Sequence, residues 1–153
     1  MLRALATGMA TGRDWLAARS ATLLVYAAVA VGSGIGGAGR QLCTELVARL
    51  MGEDWPWGTL AVNAAGSFAI GVFAACAAAG TRFANAAVRH FVMAGLCGGY
   101  TTFSAFSLDT LHLIGDGKGL AAGANVALSI VLCLLLVGLG HALAGWVTRR
   151  TRG

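Results

Sequence analysis

The sequence predicts an all-α membrane protein with four transmembrane helices. Three observations carry that expectation. The chain has 153 residues, of which 58% are hydrophobic and 11% charged, against about 25% charged in an ordinary soluble domain. So short a chain cannot hide this much apolar surface in a core of its own. The charges separate four uncharged runs, at 21–39, 57–80, 91–108 and 119–147. A spanning helix takes roughly 20 apolar residues, with a range of about 17–25, so each run is long enough to cross. Finally, Trp15, Trp55, Trp57 and Trp146 fall at run ends, where indole prefers the membrane interface.

The elements follow in order. Residues 1–20 form a basic lead-in with Arg3, Arg13 and Arg19 and no motif. The first span, about 21–43, is too long for a signal-peptide core, and no convincing cleavage site follows it. Residues 44–56 hold Glu45, Arg49, Glu53 and Asp54 and end in Trp55 and Pro56, a polar connection with room for a short helix. The second span covers 57–80. A loop at 81–90 carries Arg82 and Arg89. The third span covers about 89–112, and a connection at 109–118 carries Asp109, Asp116, Gly117 and Lys118. The fourth span, 119–147, completes a transmembrane unit of 21–147, and a basic tail, 148–153, holds Arg149, Arg150 and Arg152. The connections are short, and no internal repeat is visible.

Composition also excludes functions. The net charge is +5, but the basic residues flank spans and do not interleave with aromatics as a nucleic-acid surface requires. Cys43, Cys76, Cys97 and Cys133 make no CxxC pair and read as small apolar packing residues. No cysteine stands at ligand spacing from His90, His112 or His141, which argues against a transition-metal site. No Asp, Glu or Lys lies within the four runs. A proton-driven antiporter needs a titratable group there, and only Asp109, at the end of the third run, and His141, late in the fourth, come near.

The spans do contain neutral donors. Asn63 sits seven residues into the second run. It marks either a functional site or a helix–helix hydrogen bond worth about 0.6 kcal/mol. On the fourth span Asn125, Ser129 and Cys133 share one face at steps of four. The third offers Thr101, Thr102, Ser104 and Ser107. Together they could line a polar track with no fixed charge. Gly98 and Gly99 precede the Thr101–Thr102 pair and lower the cost of leaving helical geometry. Unwinding there would offer backbone carbonyls to a small hard cation, or the glycines simply kink the helix. Phe103 and Phe106 follow three apart. Ring edges are positive and can attract an anion weakly, although packing alone also explains such a pair.

Three motifs then resemble one family, the small bacterial fluoride channels of the Fluc or CrcB family. They are Gly32-x-x-x-Gly36-x-x-x-Arg40, the stretch WGTLAVNAAGSFAIG from Trp57 to Gly71, and GLCGGYTTFSAFS from Gly95 to Ser107. They cover most of the first three spans. The resemblance implies an antiparallel, dual-topology homodimer in the cell inner membrane, with four transmembrane helices per subunit and a break in the third. It implies a passive, fluoride-specific pore rather than an enzyme, which relieves fluoride toxicity by export. It further implies one structural, non-transported sodium ion at the dimer centre, held by the backbone carbonyls of Gly98 and Thr101. Asn63 would be the amide that meets fluoride, and Phe103 and Phe106 the aromatic pair, with Ser104 beside them. Arg40 would lie near the vestibule. On the fourth span the family's tyrosine and hydroxyls stand here as Asn125, Ser129 and Cys133.

Two rival readings are a small four-helix proton-coupled drug antiporter and a non-transporting membrane scaffold. Orientation is a separate question. Four spans place Arg3, Arg13, Arg19, Arg82, Arg89, Arg149, Arg150 and Arg152 on one side and Arg40, Arg49 and Lys118 on the other. The positive-inside rule then favours cytoplasmic termini, whereas dual topology expects little bias. Without the three arginines of the lead-in the sides are close to even.

Overall fold

The computed structural model describes residues 12–78 and 85–151. Arg3, Arg82 and Arg152 lie outside the described residues. Among the described residues the chain is helical, without strands, and four helical stretches are long and apolar enough to cross a membrane. They are α1 (Gly12–Met51), α2 (Trp57–Ala78), a composite third helix spanning 86–115, and α6 (Gly119–Arg150).

Helix α1 is longer than expected. Its 40 residues extend about 60 Å at 1.5 Å per residue, twice the hydrocarbon thickness of about 30 Å. Residues 44–51, read from sequence as part of a polar connection, continue the same helix. No proline or glycine interrupts them before Gly52. There φ turns to +84°, and the Gly52 N–H bonds the Ala48 carbonyl at 2.9 Å, a left-handed helix stop. The turn into α2 is tied down by tryptophan. Trp55 and Trp57 pack with ring centroids 4.4 Å apart and planes tilted by 53°, and the Trp55 indole N–H reaches the Ala121 carbonyl at 3.4 Å, at the start of α6.

The third span has four parts. Helix α3 (Ala86–Arg89) is capped by Asn85, whose side chain accepts from the N–H groups of Ala87 and Val88. A π-helical segment follows over His90–Cys97, then a last turn, α4 (Gly98–Tyr100), and, after a break, α5 (Phe103–Gly115). The π segment has no sequence signature that the periodicity revealed. The break was expected in the stretch from Gly98 to Thr102, and it falls at the end of that stretch, since Gly98 is helical, with φ −65° and ψ −36°. The chain becomes extended at Thr101 and Thr102, where β-branching disfavours the helix. The glycines serve close approach. A Cβ on Gly99 would stand 2.5 Å from the Ser33 carbonyl oxygen of α1.

The same logic packs the rest. Helix α2 pairs most extensively with α6, and α1 with the π segment, with α2 and α4 next. A Cβ on Gly71 would strike the Val137 carbonyl, and one on Gly140 the Phe68 carbonyl. Gly32 and Gly95 face each other so closely that a Cβ on either would lie within 3.0 Å of the other's Cα. Such small-residue contacts bring membrane helices close enough for dispersion and backbone dipoles to hold them. Helix α1, the π segment, α4 and α5 thus flank a tight α2–α6 pair. Leu120, Leu50 and many other large apolar side chains stay exposed, as a multi-pass membrane protein requires of its lipid or partner faces.

Candidate functional site

The site begins with hydrogen-bond accounting at the break. An unpaired backbone group inside a bilayer costs several kcal/mol, so Thr101 and Thr102 need partners that helical geometry no longer supplies. The Thr101 N–H still bonds the Cys97 carbonyl at 3.0 Å, and its hydroxyl donates to the same carbonyl at 3.0 Å. Thr102 is satisfied from another helix. Its N–H donates to Asn63 Oδ1 at 2.7 Å, and its carbonyl accepts from Asn63 Nδ2 at 3.0 Å. The Asn63 amide therefore grips one peptide residue at both ends, as a neighbouring β-strand would. Thr102 then starts α5, its hydroxyl accepting from the Ala105 N–H at 3.1 Å.

Two carbonyls lose their donors in this exchange. In an uninterrupted α-helix the Thr102 N–H would bond the Gly98 carbonyl, and the Ala105 N–H the Thr101 carbonyl. The first has gone to Asn63 and the second to the Thr102 hydroxyl.

A groove of about 360 Å³ runs beside the break. Of the site residues expected from sequence it brings together Asn63, Gly98, Thr101, Phe103, Phe106 and Ser129, and no charged residue among those described lines it. The Phe103 and Phe106 ring centroids are 5.4 Å apart and tilted by 46°. Phe103 is 79% exposed, so its ring projects from its own bundle at the groove. The Ser129 hydroxyl is buried there without a partner.

The remaining expected residues lie elsewhere. Ser104 and Arg40 line a second groove, with Gln41, Thr44 and Thr59. Thr102 borders both grooves, and its hydroxyl lies 3.1 Å from that of Ser104. Asn125 lines neither. It is fully buried, and its Nδ2 donates to the Thr110 hydroxyl at 2.9 Å, which in turn donates to the Phe106 carbonyl at 2.7 Å. Asn125 Oδ1 is left buried and unpartnered. Asp109, expected at a helix end, lies inside α5 with one carboxylate oxygen buried and unpartnered, yet it does not line the groove of Asn63.

Sequence reasoning missed Thr102 as the keystone. Its one signal was a hydroxyl residue standing directly before an apolar helical stretch, the position of a helix cap. It also missed Thr110 as the anchor of Asn125.

Comparison with known proteins meets the same segments. A family model described as CrcB-like protein, camphor resistance, matches residues 27–141, which contain every one of these residues. The chain belongs to the CrcB-like family. Among its relatives, the fluoride-specific ion channel FluC of Methylocella silvestris is 50% identical over 120 residues, 78% of this chain and 92% of that one. The corresponding FluC of Opitutus terrae is 51% identical over 121 residues. That of Paramagnetospirillum magneticum is 49% identical over 128 residues, covering 83% of this chain and the whole of the relative. The names are those of channels, not enzymes.

Proposed function

We propose that this protein is a fluoride channel that lets fluoride leave the cytoplasm passively. The observation that carries the reading is the composition of the groove. An amide, a tilted phenylalanine pair and an unpartnered serine hydroxyl share one uncharged wall. Such a wall offers a small anion hydrogen-bond donors and positive ring edges without a fixed cation to trap it. Fluoride enters a cell as neutral HF, ionises in the more alkaline cytoplasm and is trapped. A membrane potential negative inside then drives it out through a pore with about 2.3 kcal/mol per 100 mV. No coupling step is needed.

The working unit in this reading is an antiparallel homodimer of dual topology in the inner membrane, with a structural sodium ion at its centre. The carbonyls of Gly98 and Thr101 suit that ion, because each has lost its helical donor to a neighbour. One chain supplies too few oxygens for a hard cation's shell, and a two-fold related copy doubles them. The ion's contribution is to neutralise these carbonyl dipoles and fix the two breaks together. The exposed Phe103 then reaches a surface that the second copy completes. Arg40, beside the Ser104 groove, concentrates anions at a vestibule.

Fluoride efflux from liposomes containing the purified protein tests the reading. Rapid fluoride efflux with little chloride efflux is expected. Exchange driven by a proton gradient would point instead to an antiporter using Asp109. No flux from folded protein would leave a scaffold.

A further inference from the structure

The groove carries a second kind of chemistry. Met93, Cys97 and Cys133 all line it. Met93 and Cys97 stand four residues apart in the π segment, and Cys133 comes from α6. No cysteine of the chain is in a disulfide. Cys76 borders a different, apolar groove, and Cys43 borders neither. Three residues that carry soft sulfur donors, from two elements, thus line one groove whose lining, among the described residues, has no carboxylate, imidazole or ammonium.

We propose that Met93, Cys97 and Cys133 form a binding site for one soft monovalent cation of the Cu(I) or Ag(I) class, and that its occupancy closes the groove. Thiolate and thioether ligands select such ions over hard ones. On binding, one thiol passes its proton to the buffer as its sulfur takes the cation, and no electron is transferred. The product is a neutral metal thiolate, to which the second cysteine sulfur and the thioether add lone pairs. Neutrality matters here, because an uncompensated charge is costly away from water. Closure, but not binding, rests on the fluoride reading above.

The test uses the full-length chain with Cys43→Ala and Cys76→Ala, so that only the two groove thiols remain. Silver nitrate is the probe, in chloride-free buffer with imidazole to compete for surface histidines. Equilibrium dialysis should give one silver per chain, with one proton released per silver. Adding Cys97→Ala or Cys133→Ala, each verified as monodisperse and helical, should weaken binding at least tenfold. Two silvers per chain, or either variant within twofold of its parent, would overturn the shared site. Cys133 is half-exposed, so its variant keeps the test open if the buried Cys97→Ala fails to fold. Silver should also abolish fluoride efflux in the parent and spare it in Cys133→Ala, each judged against its own silver-free rate. Undiminished efflux at saturating silver would reject closure. Absence of efflux before silver is added would reject the fluoride reading, while dialysis still decides the site.

Discussion

Replacing Asn63 with alanine should destabilise the folded protein as well as stop flux. The change removes both partners of Thr102, the Oδ1 acceptor at 2.7 Å and the Nδ2 donor at 3.0 Å. A buried group left unsatisfied costs about 1–3 kcal/mol, so two set a ceiling near 6 kcal/mol. The floor is the average of about 0.6 kcal/mol per interhelical bond in a membrane, where the disordered reference state finds other partners. Here the floor understates the loss, because both orphans are main-chain groups of an extended segment that cannot turn to new partners without moving α5. About 2–4 kcal/mol is expected, read as a shift in the unfolding transition of the purified protein in detergent. Asn63→Asp adds a sharper check. Ionised, its carboxylate still accepts from the Thr102 N–H but turns an acceptor toward the Thr102 carbonyl, so stability should fall at neutral pH. Protonation restores one donor and one acceptor, so acid should recover much of the loss. If Asn63→Ala kept its unfolding midpoint while losing flux, Asn63 would act on the anion alone, and its account as the clamp of the break would be wrong.

Three other outcomes follow from the same geometry. Phe103→Ile or Phe106→Ile should cut fluoride efflux severely with the oligomer intact on gel filtration; full efflux in both would remove the aromatic edges from the pathway. Preparing the protein with a large organic cation in place of sodium should lower activity or dimer stability, since the Gly98 and Thr101 carbonyls would face each other unneutralised; no change in either would mean that the break holds no ion. A tag on the C-terminus, assayed for accessibility on intact cells and on inverted vesicles, should be found on both sides of the membrane. Tags in the cytoplasm only would reject the dual-topology homodimer in favour of an inverted partner or a parallel assembly.

The four helices were legible because membrane solvation writes itself into composition. Uncharged runs of sufficient length leave few alternatives, and tryptophans lie near ends of the first, second and fourth. The ends themselves were less legible. Nothing in residues 44–51 forbids a helix, and helix α1 simply continues through them because its last turns need no apolar surroundings. The groove was half visible. Asn63, Phe103, Phe106 and Ser129 stood out as polar or paired residues in apolar runs, and they do meet. What the sequence hid was pairing across distance. The Asn63–Thr102 bonds join positions 39 apart, and no local pattern encodes them. Gly98 and Gly99 left two readings open for a related reason. Glycine signals both flexibility and closeness, and only the position of Ser33 on another helix reveals which is meant.

That long-range pairing also bears on how the chain assembles. A segment that enters the bilayer alone must satisfy its own backbone, and for residues 98–105 the self-sufficient form is a continuous helix. The break is stable only where a side-chain amide from α2 is already present to take up Thr102. Helix α2 precedes the third span in the chain, so that amide is already in the membrane when the third span inserts. The break is therefore a feature of the assembled bundle and not of the inserting segment, completed when two neighbouring spans dock. A substitution at Asn63 would therefore burden assembly of the bundle as well as conduction.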